Sequence, residues 1–163
     1  MVRMKEILSL LKANSVNYVL IGGMAAIAQG SAYLTNDVDI CYAREKQNLE
    51  NLVMALKPLH PYLRGAPKDL PFIFDAKTLQ NGLNFTLSTD VGDIDLLGEV
   101  KGVGEYNEVV KCSERFQIYD IECYILTLEG LIMSKKAVGR PKDLRLLTEL
   151  EALLQIRDSK KEL

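Results

Sequence analysis

Residues 35–42 read Thr-Asn-Asp-Val-Asp-Ile-Cys-Tyr, and this stretch decides the fold. Its β-branched and aromatic residues predict a strand. The two-residue period of a strand then puts Asp37 and Asp39 on one face and Val38 on the other. Aspartate is disfavoured in strands, and two carboxylates one strand repeat apart repel each other, so the pair calls for a compensating cation. A hard divalent ion such as Mg2+ meets that need, since it takes oxygen ligands and keeps positions open for phosphate. Taken alone, a D-x-D pair also fits a solvated strand face.

Upstream, residues 17–21 (NYVLI) read as a buried strand broken by Gly22-Gly23, after which MAAIAQ favours a helix ending at Gly30. An amphipathic helix opens the chain, with Ile7, Leu8, Leu10 and Leu11 at helical spacing and Asn14 as a left-handed stop. Downstream of the acidic strand, Leu49, Leu52, Val53 and Leu56 share one face of a further helix. Helix and strand alternate here, the pattern of an α/β protein. Four of the five prolines, Pro58, Pro61, Pro67 and Pro71, fall in 57–71 and predict a surface excursion without regular structure, a candidate lid or rim. Residues 83–88 and 93–97 then form a plausible hairpin, and 116–119 with 121–126 suggest another, so antiparallel pieces join the α/β part. Thr127 can cap a helix through Lys136. Gly139 and Pro141 mark a break before a last helix with Leu146, Leu147, Leu150, Leu153 and Leu154 inward. The expected organisation is one domain over 1–157 followed by a frayed tail, 158–163.

With 163 residues, 48% of them apolar and 26% charged, the chain can build one ordinary core and is neither fibrous nor disordered. A net charge of −2 supplies no global field toward DNA or anionic lipid. The three cysteines, Cys41, Cys112 and Cys123, form no C-x-x-C pair and cannot all pair within the chain, which fits a reducing cytoplasm. Charges interrupt the apolar run of the first 15 residues, unlike a signal peptide, and the longest mostly apolar stretch, 18–28, falls short of the ~18 residues of a membrane span.

A second acidic pair, Asp93 and Asp95, shares one strand face. Asp95 sits deeper in the apolar run, between Ile94 and Leu96, and is the preferred third carboxylate; Asp93 is the flanking alternative, or a hairpin-edge charge. Gly22-Gly23, between a strand and a helix start, leaves backbone free to approach a phosphate, although a plain structural turn also uses such a pair. Cations concentrate in 134–146, where Lys135, Lys136, Arg140, Lys142 and Arg145 stand against Asp143. Leu128, Leu131, Ile132 and Lys135 fall at i, i+3, i+4 and i+7, so Lys135 continues the inward stripe toward a cleft or snorkels over the core. Arg140 and Lys142 flank Pro141 where they could meet a triphosphate or a polynucleotide backbone. The single histidine, His60, reads as a loop residue. Cys41 shares the parity of Asp37 and Asp39, as a site-lining thiol without an evident base.

In order, GG, TNDVDI, DIDLLG and KKAVGRPKDL resemble the nucleotidyltransferase superfamily that shares the DNA polymerase β catalytic fold, most of all the small bacterial branch related to AbiEii-type toxins. The likeness runs over about 16–150. It implies a single α/β (α+β) domain with a mixed, partly antiparallel sheet flanked by helices. It implies Mg2+-dependent transfer of a nucleotidyl group from a nucleoside triphosphate to a hydroxyl acceptor, which could be RNA, protein or a small molecule. Asp37, Asp39 and Asp95 would hold two metal ions, and Gly22, Gly23 and Thr35 would lie on the nucleotide side with Lys135, Arg140, Lys142 and Asp143. An antitoxin partner also follows from that branch; membrane association and strong DNA binding do not. Two features depart from the pattern: Gly-Gly stands where many members have Gly-Ser, and Tyr33 where relatives often carry arginine. A catalytically silent nucleotide- or partner-binding member and a metal-dependent phosphohydrolase are the alternatives.

Overall fold

The computed structural model describes residues 2–162. Helix α1 (Met4–Ala13) buries Ile7, Leu8 and Leu11 of the expected stripe, with Met4 added and Leu10 only partly buried. The left-handed stop falls one residue later than expected: Asn14 keeps a negative φ, and Ser15 takes the left-handed conformation, with φ 54°. Asn14 instead donates from its side chain to Leu10 O, using its amide to close the last turn rather than its backbone freedom to end it.

Strand β1 (Tyr18–Ile21) is buried at every residue and runs directly into helix α2 (Gly22–Ala28). Strand β2 (Asp37–Tyr42) carries the acidic pair, and its alternate residues Val38 and Ile40 are fully buried. Helix α3 (Lys46–Leu56) follows, burying Leu49, Leu52 and Leu56. Its buried polar residue Asn48 accepts from Asn17 N (2.7 Å) and donates to Asn17 O (3.0 Å) and Ala43 O (2.7 Å). One side chain thereby satisfies three backbone groups where β1 begins and β2 has ended, a role no hydrophobic pattern could reveal.

The proline-rich excursion is less irregular than its composition suggests. A single 3-10 turn (Lys57–Leu59) leads into a two-residue strand, β3 (Tyr62–Leu63), which pairs with β4 (Asn84–Thr89). Prolines are tolerated there because β3 is an edge strand, with one row of backbone groups outside the ladder. Helix α4 (Ala76–Asn81) precedes β4 and is capped by the Asp75 side chain, which accepts from Thr78 N at 2.8 Å. Strand β5 (Gly92–Leu97) closes the expected hairpin with β4. A small ribbon, β6 (Glu99–Val100) with β7 (Gly104–Glu105), then leads to α5 (Tyr106–Lys111), which packs on the sheet.

The second hairpin joins β8 (Ser113–Ile118) to β9 (Ile121–Leu126) through Tyr119 and Asp120, both at positive φ, as a two-residue turn of primed geometry requires. Thr127 caps α6 (Leu128–Val138) by accepting from Gly130 N, and left-handed Gly139 ends it. The last helix, α7 (Leu144–Lys161), continues past Asp158, so the helix covers most of the segment expected to fray.

Seven strands form one mixed sheet in the order β3-β4-β5-β2-β1-β9-β8. β2 is antiparallel to β1 but parallel to β5, and β1 is parallel to β9. The parallel register of β2 and β5 sets Asp37 beside Asp93 and Asp39 beside Asp95. Two distant D-x-D segments thus become adjacent rows at the centre of the sheet. Among the described residues, no helix is long and apolar enough to cross a membrane, and all three cysteines are free thiols.

Candidate active site

Asp37, Asp39 and Asp95 each offer an oxygen such that the three atoms lie within 4.8 Å of one another. The adjacency follows from the β2–β5 register, and the common orientation from strand parity. Each carboxylate has a different local environment. Asp37 Oδ1 accepts from the Thr35 hydroxyl at 2.8 Å, which fixes its rotamer. Asp95 Oδ1 accepts from Arg64 Nη2 at 2.6 Å. Asp39 Oδ1 is buried with no hydrogen-bond partner. Burial, followed by the charges of Asp37 and Asp95, pushes the Asp39 carboxyl up to about 8, with Lys135 pulling the other way. An orphaned, desolvated carboxylate oxygen among two others is costly in an apo protein and is what a hard cation repairs, so the donor set fits Mg2+.

The glycine turn is built around this cluster. Gly22 has φ 65°, and a Cβ there would lie 2.0 Å from Asp39 Oδ2. At Gly23 a Cβ would lie 2.7 Å from Thr35 Cβ and 3.0 Å from Tyr33 Cε1. Both positions therefore need glycine to let the acidic strand and the segment before it close over the start of α2, a requirement added to any approach of phosphate.

The three acids line one side of a cleft of about 390 Å3 whose lining also includes Gly23, Tyr33 and Thr35. Lys135, Arg140, Lys142 and Asp143 line it as well. Lys135 points inward from α6, its side chain only 17% exposed, and its Nζ lies 3.7 Å from Asp143 Oδ1. Asp143 Oδ2 accepts from Arg140 Nε at 2.7 Å. Burial works against the Asp143 charge, but Arg140, Lys135 and Lys142 outweigh it and hold the carboxyl below its ordinary range. Acids and cations thus face a common space. Of the residues expected to hold metal or nucleotide, all except Gly22 lie on its wall.

Three other residues considered for the site lie outside this cleft. Cys41 shares the acids' parity but is fully buried, and burial followed by Glu105 pushes its thiol up to about 12, which makes it an inert core residue. His60 is an exposed loop residue at φ 54°, with Nδ1 2.6 Å from Asp90 Oδ2. Asp93 forms an ion pair with Arg64 Nε at 3.2 Å and is outside the three-acid cluster. The residue that sequence reasoning missed is Arg64. Nothing in its spacing marks it, because its position depends on β3 forming among prolines.

No protein-family model and no curated protein matches the chain. Solved structures do. The lincosamide antibiotic adenylyltransferase LnuA, in its lincomycin-bound form, superimposes with a TM-score of 0.60 at 16% identity, over 93% of this chain and 98% of that one. A candidate nucleotidyltransferase from Thermotoga maritima gives 0.59 at 15% identity, over 91% and 94%. ANT(2")-Ia in complex with adenylyl-2"-tobramycin gives 0.57 at 14% identity, over 97% and 96%. The chain has the nucleotidyltransferase fold as a single α/β domain with a mixed sheet.

Proposed function

We propose that this protein is a Mg2+-dependent nucleotidyltransferase that moves a nucleoside monophosphate group from a nucleoside triphosphate to a hydroxyl acceptor. The observation that carries the reading is the convergence of three carboxylates within 4.8 Å on one wall of a cleft whose lining also holds Lys135, Arg140 and Lys142. A catalyst of in-line phosphoryl-type transfer needs this division, with acids for metal and cations for the triphosphate. Asp37 and Asp39 would hold both ions, and Asp95 the ion nearer the acceptor. Two ions held there would activate the attacking hydroxyl and stabilise the leaving pyrophosphate. Thr35 keeps Asp37 oriented through its hydroxyl. Lys135 and Arg140, spaced by Asp143, offset charge on the phosphates.

A small-molecule hydroxyl acceptor is supported by the structural neighbours, which include a lincomycin-bound adenylyltransferase and an adenylyl-tobramycin complex. An RNA acceptor would instead use the cations at Arg140 and Lys142. Kinship with AbiEii-type toxins, and an antitoxin partner with it, is supported by the ordered motifs, and a reducing cytoplasm by the free thiols. Tyr33 in the cleft lining, where relatives often carry arginine, favours a silent nucleotide-binding member as the second reading. Incubation with α-labelled triphosphates, Mg2+ and either cell extract, total RNA or a panel of polyhydroxylated small molecules separates these readings. Label on an acceptor supports transfer. Free monophosphate supports hydrolysis, and Mg2+-dependent thermal stabilisation without turnover supports the silent binder.

A further inference from the structure

Arg64 lies in the proline-rich excursion, two residues from β3's first position, and its backbone N–H donates to Thr86 O at 3.0 Å. This bond pins it to β4, so its side chain reaches β5 from a fixed origin. Nη2 donates to Leu87 O at 2.9 Å and to Asp95 Oδ1 at 2.6 Å, while Nε stands 3.2 Å from Asp93 Oδ2 as a charge contact. The Arg64 side chain as a whole is 30% exposed, with its Nε buried. Its fork therefore spans both acids of β5.

The register makes this contact consequential. Asp93 is beside Asp37 just as Asp95 is beside Asp39, and both β5 acids share a face, so backbone geometry alone would admit four carboxylates to the cluster. Only Asp37, Asp39 and Asp95 converge. Lys135, the cation that acts on Asp39, comes from α6 and also engages Asp143, which leaves Arg64 as the cation paired with both β5 acids.

We propose that Arg64 is a positioning residue that withdraws Asp93 from the metal cluster and holds Asp95 by one oxygen, leaving its other oxygen for the ion. The inference rests on the metal site in the proposed function. A planar guanidinium suits the task because it can engage two carboxylates and a backbone carbonyl at once, which the single ammonium of lysine cannot. It also sets the number of acids available, and hence the strength of ion binding before any nucleotide arrives.

The test is Mn2+ affinity of the nucleotide-free protein, read by electron paramagnetic resonance or calorimetry, for wild type, Arg64→Met, Arg64→Lys, Asp93→Asn, Asp95→Asn and Arg64→Met/Asp93→Asn. Removing the cation and freeing a fourth acid raises Mn2+ affinity in Arg64→Met by at least about fivefold, whereas a purely structural arginine would lower it or leave it unchanged. Adding Asp93→Asn to that variant cancels most of the gain, a coupling absent if the two residues act independently. Arg64→Lys keeps the charge but not the fork and falls between wild type and Arg64→Met. In the wild-type background Asp93→Asn leaves Mn2+ affinity nearly unchanged while Asp95→Asn weakens it at least tenfold, a comparison that stands even if Arg64→Met does not fold. Equal losses for Asp93→Asn and Asp95→Asn, or a folded Arg64→Met with unaltered affinity, overturn the role of Arg64 and leave the metal site standing. A wild-type protein that binds no Mn2+ overturns the proposed function and this inference with it.

Discussion

Replacing Asp39 by asparagine removes one negative charge from three, so it acts with opposite sign on the apo protein and on the metal-bound one. In the folded state burial and then Asp37 and Asp95 push the Asp39 carboxyl from its ordinary 3.8 to about 8. A raised folded-state value means that folding takes up a proton between those two limits, and stability falls as pH rises through them. Below about pH 4 the carboxyl is protonated in both states and costs nothing; above about pH 8 it is ionised in both and the full cost is present. Each tenfold change in proton affinity is worth about 1.36 kcal/mol, so a ceiling of about 6 kcal/mol applies. The proton is shared with neighbouring carboxylates and the asparagine amide is itself desolvated, so about 2 kcal/mol at neutral pH is the expected gain. For a chain of this size that is roughly 4–8 °C in melting temperature. Without metal, Asp39→Asn should melt with wild type near pH 4 and progressively above it toward pH 8. In Mg2+ at about ten times its dissociation constant, wild type gains about 1.4 kcal/mol and the variant gains little, so the gap narrows. Thermal melts followed by circular dichroism, from pH 4 to 8.5 with Mg2+ or with chelator, measure both effects. A variant no more stable than wild type at pH 8 in chelator, or one that Mg2+ stabilises as much as wild type, refutes the reasoning.

Three further outcomes test the surrounding parts. Gly22→Ala places a Cβ 2.0 Å from Asp39 Oδ2 at φ 65° and should cost about 1–3 kcal/mol while abolishing Mg2+-dependent stabilisation, both read from the same melts. Lys135→Met should weaken a non-hydrolysable nucleoside triphosphate analogue about tenfold by calorimetry without weakening Mg2+ binding, since the lysine offsets the charge on Asp39 and lines the cleft proposed for the triphosphate. An unchanged nucleotide affinity would make Lys135 a partner of Asp143 only. Asn48→Ala strips three backbone groups of a buried partner and should cost about 2–4 kcal/mol in urea denaturation, with metal affinity unaltered in the folded fraction.

Much of this site is legible because its parts are local. Asp37 and Asp39 lie on one face by strand parity, Thr127 and Gly139 bound a helix by cap chemistry, and Lys135 follows an apolar stripe, so each could be read from a few neighbouring residues. The preference for Asp95 over Asp93 rests on depth in an apolar run, and the cluster places Asp95 with the other two acids. What could not be read depends on pairing between distant segments. Arg64 enters only because β3 adds to β4, an event hidden by prolines that local rules assign to loop. Asn48 is likewise silent in sequence, because its three partners belong to segments that meet only after β1 and β2 have paired.

The same dependence explains why the turn and the acids form a single unit. Asp39 can occupy its half-buried position only because Gly22 has no side chain, and Gly22 is held at positive φ by the passage from β1 into α2. The β1–β2 ladder then places Ile21, the residue before that turn, opposite Asp39, so the turn and the carboxylate are fixed by one register. A one-residue slip of β2 would turn both acids into the core and Val38 into the cleft, at a cost the apolar residues on either face would not allow. The cost of gathering like charges is therefore met by the sheet and not by the site itself. The β1–β2 and β2–β5 registers bring the three carboxylates together, an arrangement preorganised for the proposed ion, which would relieve their repulsion.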